Sequence, residues 1–353
     1  MPHGPARRAM RQAEKVNEMR AMVIDDFGGP DKLHLGDLPI PDAGPGEVRV
    51  RIAYCSVNPA DWKTREGMLS KYISYSFPFV LGFDLAGIVD AVGDDVTRFA
   101  KGDAVFGTAQ QGLGKSGSYA EFAIAHEAAL APLSPGLTFS EAATLPTAGT
   151  TALGGLLDVG DLQAGQSVLI NGGAGGVGSI AIQIACAVGA RVLTTCSAAN
   201  ADFVRSLGAE VAIDYRGGDV VEEVRKACPQ GVDLVLDAVG LDSLLPRATE
   251  IVKRGGSFVE IETLISEASQ AQVAEAGDAG VRIVSNMIAI GRLPEQLARL
   301  GEMAGAGKIK PQVTAVLPLA DMPEAHRRVQ AGHVRGKIAI EVDGNLRGTE
   351  RTG

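Results

Sequence analysis

The sequence lacks the cysteine pattern of a disulfide framework or of a cysteine-rich zinc site. It has four cysteines, and no two of them form a C-x-x-C pair. This spacing is typical of reduced thiols in the cytoplasm, most of them buried. We therefore expect a cytoplasmic protein whose four thiols bind no metal: Cys55, Cys186, Cys196 and Cys228.

Long apolar runs and an excess of positive charge are also absent. No apolar run reaches the roughly 20 residues of a membrane-spanning helix, so we expect no membrane partner. The formal net charge of −9 argues against nucleic acid as the main partner. Residues 1–18 lack the apolar core of a signal peptide, and we expect a disordered extension ahead of Met19. The 353 residues suffice for two domains.

A glycine-rich turn lies between an apolar run at 166–171 and a helix-forming run at 177–188. A second apolar run at 191–195 completes a β-α-β unit. The glycines match the G-x-G-x-x-G pattern, which permits a tight turn, close approach of a pyrophosphate and close helix–strand packing. The N–H groups at the helix N-terminus then bind the pyrophosphate. This context favours a dinucleotide site over a purely structural turn, with these candidate residues: Gly173, Gly175, Gly176, Val177 and Gly178.

No carboxylate stands about 20 residues beyond the glycines, where an NAD-binding protein holds the ribose 2′-hydroxyl. The first acid there is Asp202. Ser197 and Asn200, with Tyr215 and Arg216 after the next predicted strand, offer hydrogen-bond donors for a 2′-phosphate. The alternative is that these four are plain surface loop residues. We expect NADPH rather than NADH as the cofactor.

The two parts of the chain differ in periodicity. Residues 19–145 contain short β-branched runs separated by turn residues, one of which predicts a strand at 118–125. Helices are predicted at 59–66 and from 139 onward. From residue 166 strands alternate with helices, which predicts an α/β fold with a doubly wound sheet of six parallel strands. We predict these strands at 166–171, 191–195, 211–213, 232–236, 257–261 and 281–285.

The last part of the chain does not extend this alternation. Its pattern predicts helices at 294–304 and 323–330 and strands at 313–317 and 337–342. We expect it to return to the first domain. The predicted domains are therefore 19–145 with 290–345, and 146–289.

Six further motifs accompany the glycine turn: residues 21–30, 56–63, 81–87, 102–107, 145–152 and 335–338. Together they resemble the medium-chain dehydrogenase/reductase superfamily, in its zinc-independent quinone oxidoreductase (zeta-crystallin-like) branch. The resemblance covers about residues 19–342. It implies a GroES-like β-barrel catalytic domain beside a Rossmann dinucleotide-binding domain, with nicotinamide and substrate in the cleft between them.

The zinc branch of the same superfamily uses Cys, His, often a second Cys, and a nearby Glu. The positions that match those motifs carry Asn58, Phe83, Thr147 and Asp84, and Ala60 replaces the hydroxyl residue of the proton relay. A phenylalanine cannot bind zinc, and asparagine and threonine are poor zinc ligands. Residues 107–118 also lack the four cysteines of the family's structural zinc lobe. We expect no metal and no oxidation of simple alcohols.

Without a Lewis acid, a conjugated acceptor is the easier substrate, because conjugation spreads the negative charge that hydride addition creates. We therefore expect hydride transfer from NADPH to a quinone or to the β-carbon of an α,β-unsaturated carbonyl compound. Two alternatives stay open: reduction of an enoyl thioester, and a non-catalytic structural or regulatory protein that binds NADPH.

Asn58 is the candidate for contact with nicotinamide or with the substrate oxygen, and capping of a loop is the alternative. For Asp61 we expect a buried structural hydrogen bond, and a catalytic role is the alternative. Trp62, Tyr72 and Tyr75 are candidates for an aromatic wall of the substrate pocket, with ordinary packing as the alternative.

Thr147 and Thr151 open a helix near the expected cleft and either contact the cofactor or cap the helix. The resemblance also implies that Lys337 approaches a cofactor phosphate. The histidines His126, His326 and His333 lie in no recognisable motif, and we expect surface or core positions for them. The strand at 281–285 is β-branched and predicted at a sheet edge, where relatives of this branch commonly pair, so we expect a homodimer.

Overall fold

The structure is a computed structural model that describes residues 18–110, 117–240, 243–261, 270–285, 292–332 and 334–346. It divides into two compact units. The first unit comprises residues 1–146, 315–332 and 338–353, and the second comprises 147–314 and 333–337. The predicted return to the first domain at residue 290 is therefore too early, since the chain rejoins the first unit at 315. Residues 1–17 of the expected extension and His333 lie outside the described residues, whereas Glu18 already belongs to a strand.

Sixteen strands lie in the described part of the chain. They are β1 (Glu18–Ile24), β2 (His34–Pro39), β3 (Glu47–Ser56), β4 (Phe79–Val80), β5 (Asp84–Val92), β6 (Ala104–Thr108), β7 (Phe122–His126), β8 (Leu130–Pro132), β9 (Ser167–Asn171), β10 (Arg191–Cys196), β11 (Val211–Asp214), β12 (Val232–Asp237), β13 (Val252–Glu260), β14 (Arg282–Ser285), β15 (Val313–Pro318) and β16 (Lys337–Glu341).

Ten α-helices accompany the strands among the described residues. They are α1 (Pro59–Arg65), α2 (Phe139–Ala142), α3 (Pro146–Leu153), α4 (Gly176–Val188), α5 (Ala201–Ser206), α6 (Val220–Ala227), α7 (Ala248–Ile251), α8 (Gln270–Asp278), α9 (Leu293–Gly305) and α10 (Met322–Gln330). A π-helical segment, Gly154–Val159, continues α3. No described helix has the length and apolar composition needed to cross a membrane.

The first unit is built on antiparallel sheets. A three-stranded sheet has the order β2-β1-β4, and a seven-stranded sheet has the order β15-β16-β3-β5-β6-β8, with β7 paired to β3. Cys55 on β3 pairs with Leu85 on β5. This register brings the end of β3 beside the beginning of β5, so Ser56 and the loop after it meet Asp84.

The second unit contains the predicted parallel sheet, in the order β11-β10-β9-β12-β13-β14. All six predicted strands are present, and β14 lies at an edge of the sheet as predicted. The strand order reverses between β9 and β12, which is the topological switch point of a doubly wound fold. Apolar side chains from the strands and helices form one buried core, including Leu169, Leu193, Val235, Ile251 and Phe258.

Local sequence signals explain where key helices of this sheet begin and end. α4 ends at Gly189, whose φ of +89° favours glycine. α6 begins after Asp219, whose carboxylate accepts hydrogen bonds from the N–H groups of Val221 and Glu222. α4 follows the carboxyl end of β9, and α6 follows that of β11. Ligands of such sheets bind at the carboxyl ends of the strands.

Candidate functional site

The glycine turn after β9 is packed too closely for side chains at two of its positions. A Cβ on Gly173 would collide with the Oγ1 of Thr194, and a Cβ on Gly178 would collide with the carbonyl oxygen of Gly172. At Gly175 the space is open, since a Cβ would meet only the Gly172 oxygen, at 3.4 Å. The turn therefore packs its first and last glycines inward and leaves the middle one accessible. This arrangement fits the approach of a pyrophosphate to the N-terminus of α4.

The segment that returns to the second unit lies against this turn. The N–H of Gly336 donates to the carbonyl oxygen of Ala174 (2.8 Å), and the N–H of Lys337 donates to that of Gln312 (2.8 Å). Lys337 is buried, and a Cβ on Gly176 would lie 2.8 Å from its Cδ. The structure thus brings Lys337 to the first residue of α4, beside the other predicted cofactor residues.

The four residues predicted for a 2′-phosphate lie at the carboxyl ends of two paired strands. Cys196 of β10 pairs with Asp214 of β11, so Ser197 and Tyr215 follow neighbouring strand ends. Asn200 Nδ2 donates to Ser197 Oγ (3.2 Å). The guanidinium of Arg216 stands 5.3 Å from the centre of the Tyr215 ring, which is about half exposed. The four residues named from the sequence therefore follow the paired carboxyl ends of β10 and β11.

One acid near these residues was missed in the sequence. Asp214 ends β11, and its Oδ1 accepts a hydrogen bond from the N–H of Arg216 (3.1 Å). Burial and the charge of Asp214 raise the pKa of the Cys196 thiol. The carboxylate of Asp214 thus forms a hydrogen bond within the turn that follows β11.

The sequence analysis also missed a group of hydrogen-bonded polar side chains at the switch point: Asn171, Thr195 and Asp237. Asn171 ends β9 and donates from Nδ2 to Asp237 Oδ1 (2.8 Å), at the end of β12. Its Oδ1 accepts the hydroxyl of Thr195 (2.6 Å), on β10. Asp237 Oδ1 also accepts the N–H of Val239 (2.9 Å). The available sequence signal was the position of each polar residue at the end of a buried apolar strand.

In the first unit, Asn58 is buried and precedes α1. Its Nδ2 donates to Asp84 Oδ2 (2.9 Å), which also accepts the hydroxyl of Ser56 (2.8 Å). Its backbone N–H donates to Asp61 Oδ2 (2.7 Å), as in a capping box. The carboxamide and backbone of Asn58 are therefore held by two buried carboxylates. Burial, and then the charges of Asp61 and Asp84, raise the pKa of the Cys55 thiol well above its usual range.

A second buried group of side chains in the same unit consists of Tyr119, His326 and Arg65. Burial, and then the charge of Asp61, raise the pKa of Tyr119 well above its usual range. Tyr119 Oη lies 3.1 Å from His326 Nε2, and His326 Nδ1 lies 2.9 Å from Arg65 Nη1. Burial, and then the Arg65 charge, lower the pKa of His326 to about 3.

The predicted aromatic wall is not found as a single group. Tyr75 packs with three phenylalanines, its ring centre 4.8 Å from that of Phe27, and its hydroxyl donates to the carbonyl oxygen of Thr64 (3.0 Å). Tyr72 is 67% exposed. Among the described side chains, no ring contact joins Trp62 or Tyr72 to this cluster. Aromatic spacing in a loop does not reveal which rings fold inward, and the role of the three residues in a substrate pocket stays a prediction.

Thr147 and Thr151 lie one turn apart on α3, in the second unit. The hydroxyl of Thr151 donates to the carbonyl oxygen of Thr147 (2.7 Å). This back-bonding within the helix differs from the N-cap contact considered for these residues, in which a side chain accepts a backbone N–H.

Comparison with known proteins gives two family matches. Residues 44–135 match the alcohol dehydrogenase GroES-like domain, and residues 207–340 match the zinc-binding dehydrogenase family. The chloroplastic NADPH-dependent alkenal/one oxidoreductase of Arabidopsis thaliana is 32% identical over 332 residues, 92% of this chain and 79% of the relative. The 2-methylene-furan-3-one reductase of Solanum lycopersicum is 33% identical over 333 residues, with the same coverage of both chains.

The chain belongs to the medium-chain dehydrogenase/reductase superfamily, in its quinone oxidoreductase branch. A solved structure agrees: the quinone oxidoreductase from Coxiella burnetii is 33% identical, with a TM-score of 0.81, over 92% of this chain and all of that one. The fold of the present chain is the α/β fold of this superfamily, with a GroES-like domain and a Rossmann-type sheet.

The zinc of other members of the superfamily does not fit the residues of this chain. The motif positions carry Asn58, Phe83 and Thr147, and no cluster of three histidine, cysteine or acidic side chains suits a metal in the described part of the chain. Asp84, at the position of the family's glutamate, instead accepts hydrogen bonds from Ser56 and Asn58. The donor chemistry is that of amide and hydroxyl groups, which are poor ligands for zinc.

Proposed function

We propose that the protein is an oxidoreductase that uses NADPH to reduce a quinone or the C=C bond of an α,β-unsaturated carbonyl compound, without zinc. The observation that carries the proposal is the glycine turn at the switch point of the parallel sheet. Gly173 and Gly178 pack inward, Gly175 is open, and α4 presents its N-terminus beside the turn. This cradle suits the pyrophosphate of a nicotinamide dinucleotide.

The residues after β10 and β11 support NADPH over NADH. Ser197, Asn200, Tyr215 and Arg216 supply hydroxyl, amide and guanidinium donors for a 2′-phosphate. Asp214 directly precedes Tyr215, and its carboxylate already accepts the N–H of Arg216. Lys337, buried against the first residue of α4, adds a positive charge on the side where the pyrophosphate would bind.

The substrate class follows from what the chain can stabilise. A bound nicotinamide supplies the hydride. Asn58 is rigidly held by Asp84 and Asp61, and in our proposal it orients the reacting groups and hydrogen-bonds the carbonyl oxygen of the substrate. A conjugated acceptor delocalises the added charge as an enolate or a hydroquinone anion, so these hydrogen bonds suffice without a metal. The two plant relatives are named as an alkenal/one oxidoreductase and a 2-methylene-furan-3-one reductase, and the Coxiella protein as a quinone oxidoreductase. These names describe the substrate classes that we propose.

We also propose that the protein pairs through β14. This strand lies at an edge of the parallel sheet and its sequence, Arg-Ile-Val-Ser, is β-branched at its centre. Exposed edges of this kind readily pair with a second copy, and isologous pairing closes a dimer.

The test is product analysis with NADPH deuterated at C4. Purified protein is incubated with quinones, enals, enones, enoyl thioesters and simple alcohols, and products are analysed by mass spectrometry and NMR. We expect a saturated ketone from an enone, with deuterium at the β-carbon. Deuterium at the carbonyl carbon, or efficient oxidation of simple alcohols with NADP⁺, would refute the proposal.

Two outcomes of the same panel would favour the alternatives. Turnover confined to enoyl thioesters would assign a thioester reductase. Tight NADPH binding without turnover of any acceptor would assign a non-catalytic NADPH-binding protein.

A further inference from the structure

We propose that Thr195, Asn171 and Asp237 are positioning residues for the cofactor crevice, because they join the glycine turn after β9 to the turn after β12. This inference rests on the proposed function and deepens it, since the switch point between these strands is where we expect NADPH to bind. All three side chains are buried in the second unit, at or next to the carboxyl ends of their strands. None of them is a glycine of the turn or a predicted donor for the 2′-phosphate.

Thr195 binds the first two peptide groups of the glycine turn. Its hydroxyl oxygen accepts the N–H of Gly172 at 2.9 Å, and its carbonyl oxygen accepts the N–H of Gly173 at 3.0 Å. Gly172 has a φ of +86°, in the left-handed region that favours glycine. Thr195 therefore satisfies two consecutive N–H groups and holds the beginning of the turn in this conformation.

The directions of the next hydrogen bonds follow from the chemistry of the donors. A backbone N–H can only donate, so the single proton of the Thr195 hydroxyl donates to Asn171 Oδ1, at 2.6 Å. The NH₂ group of Asn171 then faces two acceptors, Asp237 Oδ1 and Ser243 Oγ, each at 2.8 Å. The reverse orientation of the amide would place its oxygen against the carboxylate of Asp237. The partners of Asn171 therefore fix its amide in one orientation.

The carboxylate of Asp237 holds the turn after β12. Its Oδ1 accepts the N–H of Val239 at 2.9 Å and that of Gly240 at 3.4 Å. The N–H of Ala238 donates to the carbonyl oxygen of Asn171 at 3.1 Å. Three consecutive N–H groups of this turn are therefore bound by Asp237 and Asn171, which are themselves joined by a hydrogen bond.

The two turns meet at Val239. A Cβ on Gly172 would lie 3.0 Å from Val239 Cγ2, and the Val239 side chain is 53% exposed. This side chain thus lies against the beginning of the glycine turn and keeps half of its surface open. The hydrogen bonds through Asn171 fix the distance between the two turns, and with it the shape of the crevice that the dinucleotide would enter.

The opposite end of the same two strands provides a matched control. Ser167 begins β9, and both its hydroxyl and its N–H donate to Asp233 Oδ2 at 2.9 Å, on β12. This hydroxyl–carboxylate pair joins the strands that Asn171 and Asp237 join, but near their amino ends. Ser167→Ala therefore weakens the sheet without removing a contact of either turn.

The first experiment measures hydrogen exchange of the Gly172 N–H by NMR, with no cofactor present. Thr195→Val replaces the hydroxyl with a methyl group and leaves this N–H without its acceptor. We expect exchange at Gly172 to accelerate about tenfold. Thr195→Ser keeps the hydroxyl and should restore slow exchange, and Ser167→Ala should leave exchange at Gly172 as in the wild type.

The second experiment measures the Kd for NADPH by fluorescence titration and stability by urea unfolding. Thr195→Val should raise the Kd about tenfold, because the cofactor must then order a turn that the wild type already holds in place. Thr195→Ser should bind NADPH nearly as the wild type does. Ser167→Ala should lower the urea midpoint and leave the Kd unchanged.

A double-mutant cycle tests whether the residues act as one series. Asn171→Ala should also raise the Kd for NADPH. The double variant Asn171→Ala/Thr195→Val should lose less binding free energy than the sum of the two single losses, because both substitutions remove the same hydrogen bond.

Equal exchange at Gly172 in the wild type and Thr195→Val would overturn the inference, whatever the affinity. A Kd raised as much by Ser167→Ala as by Thr195→Val would also overturn it, since the effect would then come from lost stability. Additive losses in the cycle would do the same. If the wild type binds no NADPH, the proposed function fails, and exchange at Gly172 alone decides whether Thr195 positions the turn. If Thr195→Val does not fold, Thr195→Ala, which also lacks the hydroxyl, is measured in its place.

Discussion

Acidification offers a direct test of the burial of His326. The ring is buried between the guanidinium of Arg65 and the hydroxyl of Tyr119, with the carboxylate of Asp61 beyond Tyr119. Burial, followed by the Arg65 charge, lowers its pKa to about 3 from an ordinary value of 6.5. The unfolded chain therefore binds a proton at His326 between these two pH values, and the folded protein does not. Stability contributed by the neutral ring is complete above pH 6.5 and is lost as the pH falls toward 3.

The expected magnitude follows from the two pKa values. Each pH unit in this range costs about 1.4 kcal/mol, so the full loss is about 5 kcal/mol between pH 6.5 and 3. At pH 5 the loss is already about 2 kcal/mol. In His326→Gln this contribution is absent. The variant should be less stable at pH 7.5, because its shorter side chain cannot keep both ring contacts, yet its stability should fall less steeply with acid.

The assay is urea unfolding at pH 7.5 and pH 5.0, followed by tryptophan fluorescence. Trp62 is the single tryptophan and lies in the same unit as His326, so its signal reports the relevant transition. The wild type should lose about 2 kcal/mol more than His326→Gln between the two pH values. His34→Gln, which removes an exposed ring, is the control and should behave as the wild type. Equal losses in the wild type and His326→Gln would refute the reasoning.

Three further predictions concern cofactor and metal. Gly178→Ala should abolish NADPH binding in a fluorescence titration, since its Cβ would strike the Gly172 oxygen; Gly218→Ala, where a Cβ meets nothing within 4 Å, should bind normally. The wild type should bind NADPH at least about tenfold tighter than NADH, a difference of ~1.4 kcal/mol in binding free energy. Ser197→Asp should narrow or reverse this preference. Equal dissociation constants of the wild type for NADPH and NADH would contradict the prediction. Elemental analysis should find no stoichiometric zinc, and a chelator should leave activity intact; one zinc per chain with loss of activity would show the opposite.

The parallel sheet was predictable because its strands are buried on both faces. Such strands are continuous apolar runs bounded by turns, and they stand out from the helices between them. The predicted strand at 191–195 differs from β10 by one residue. The antiparallel unit was harder. β4 and β8 have two and three residues, too few for a periodic signal.

Two errors show how tertiary partners override local pattern. The strand predicted at 118–125 begins only at Phe122, because Tyr119 instead donates its N–H to the carbonyl oxygen of Leu81. The helix α9 was assigned to the first domain, whereas it packs within the second unit. There Gln296 donates to Asp158 (2.7 Å), and Leu300 fills the space above Gly149. An amphipathic pattern reveals that a helix has a buried face but not which surface covers it.

The residues of the candidate site also differ in whether a local sequence pattern can reveal them. The glycine turn and the donors after β10 and β11 are each local in sequence, so a sequence pattern was enough to name them as candidates. Tyr119 and His326 are 207 residues apart, and His326 and Arg65 are 261 apart. No spacing rule joins residues at such separations, and an isolated histidine carries no signal of its partners. The predicted buried hydrogen bond of Asp61 is present. The contacts of His326 with Tyr119 and Arg65 became visible only in the structure.

The path of the chain between the two units has a consequence for synthesis on the ribosome. All six strands of the parallel sheet have been made once Ser285 has emerged. The antiparallel unit must wait for residues 315–332 and for β16, which pairs with the end of β3 at Tyr54–Ser56. The end of β3 therefore acquires β16 as its partner late in synthesis. A nascent chain paused after β14 would hold a finished nucleotide sheet, while Arg65 would still await His326 and Gln330.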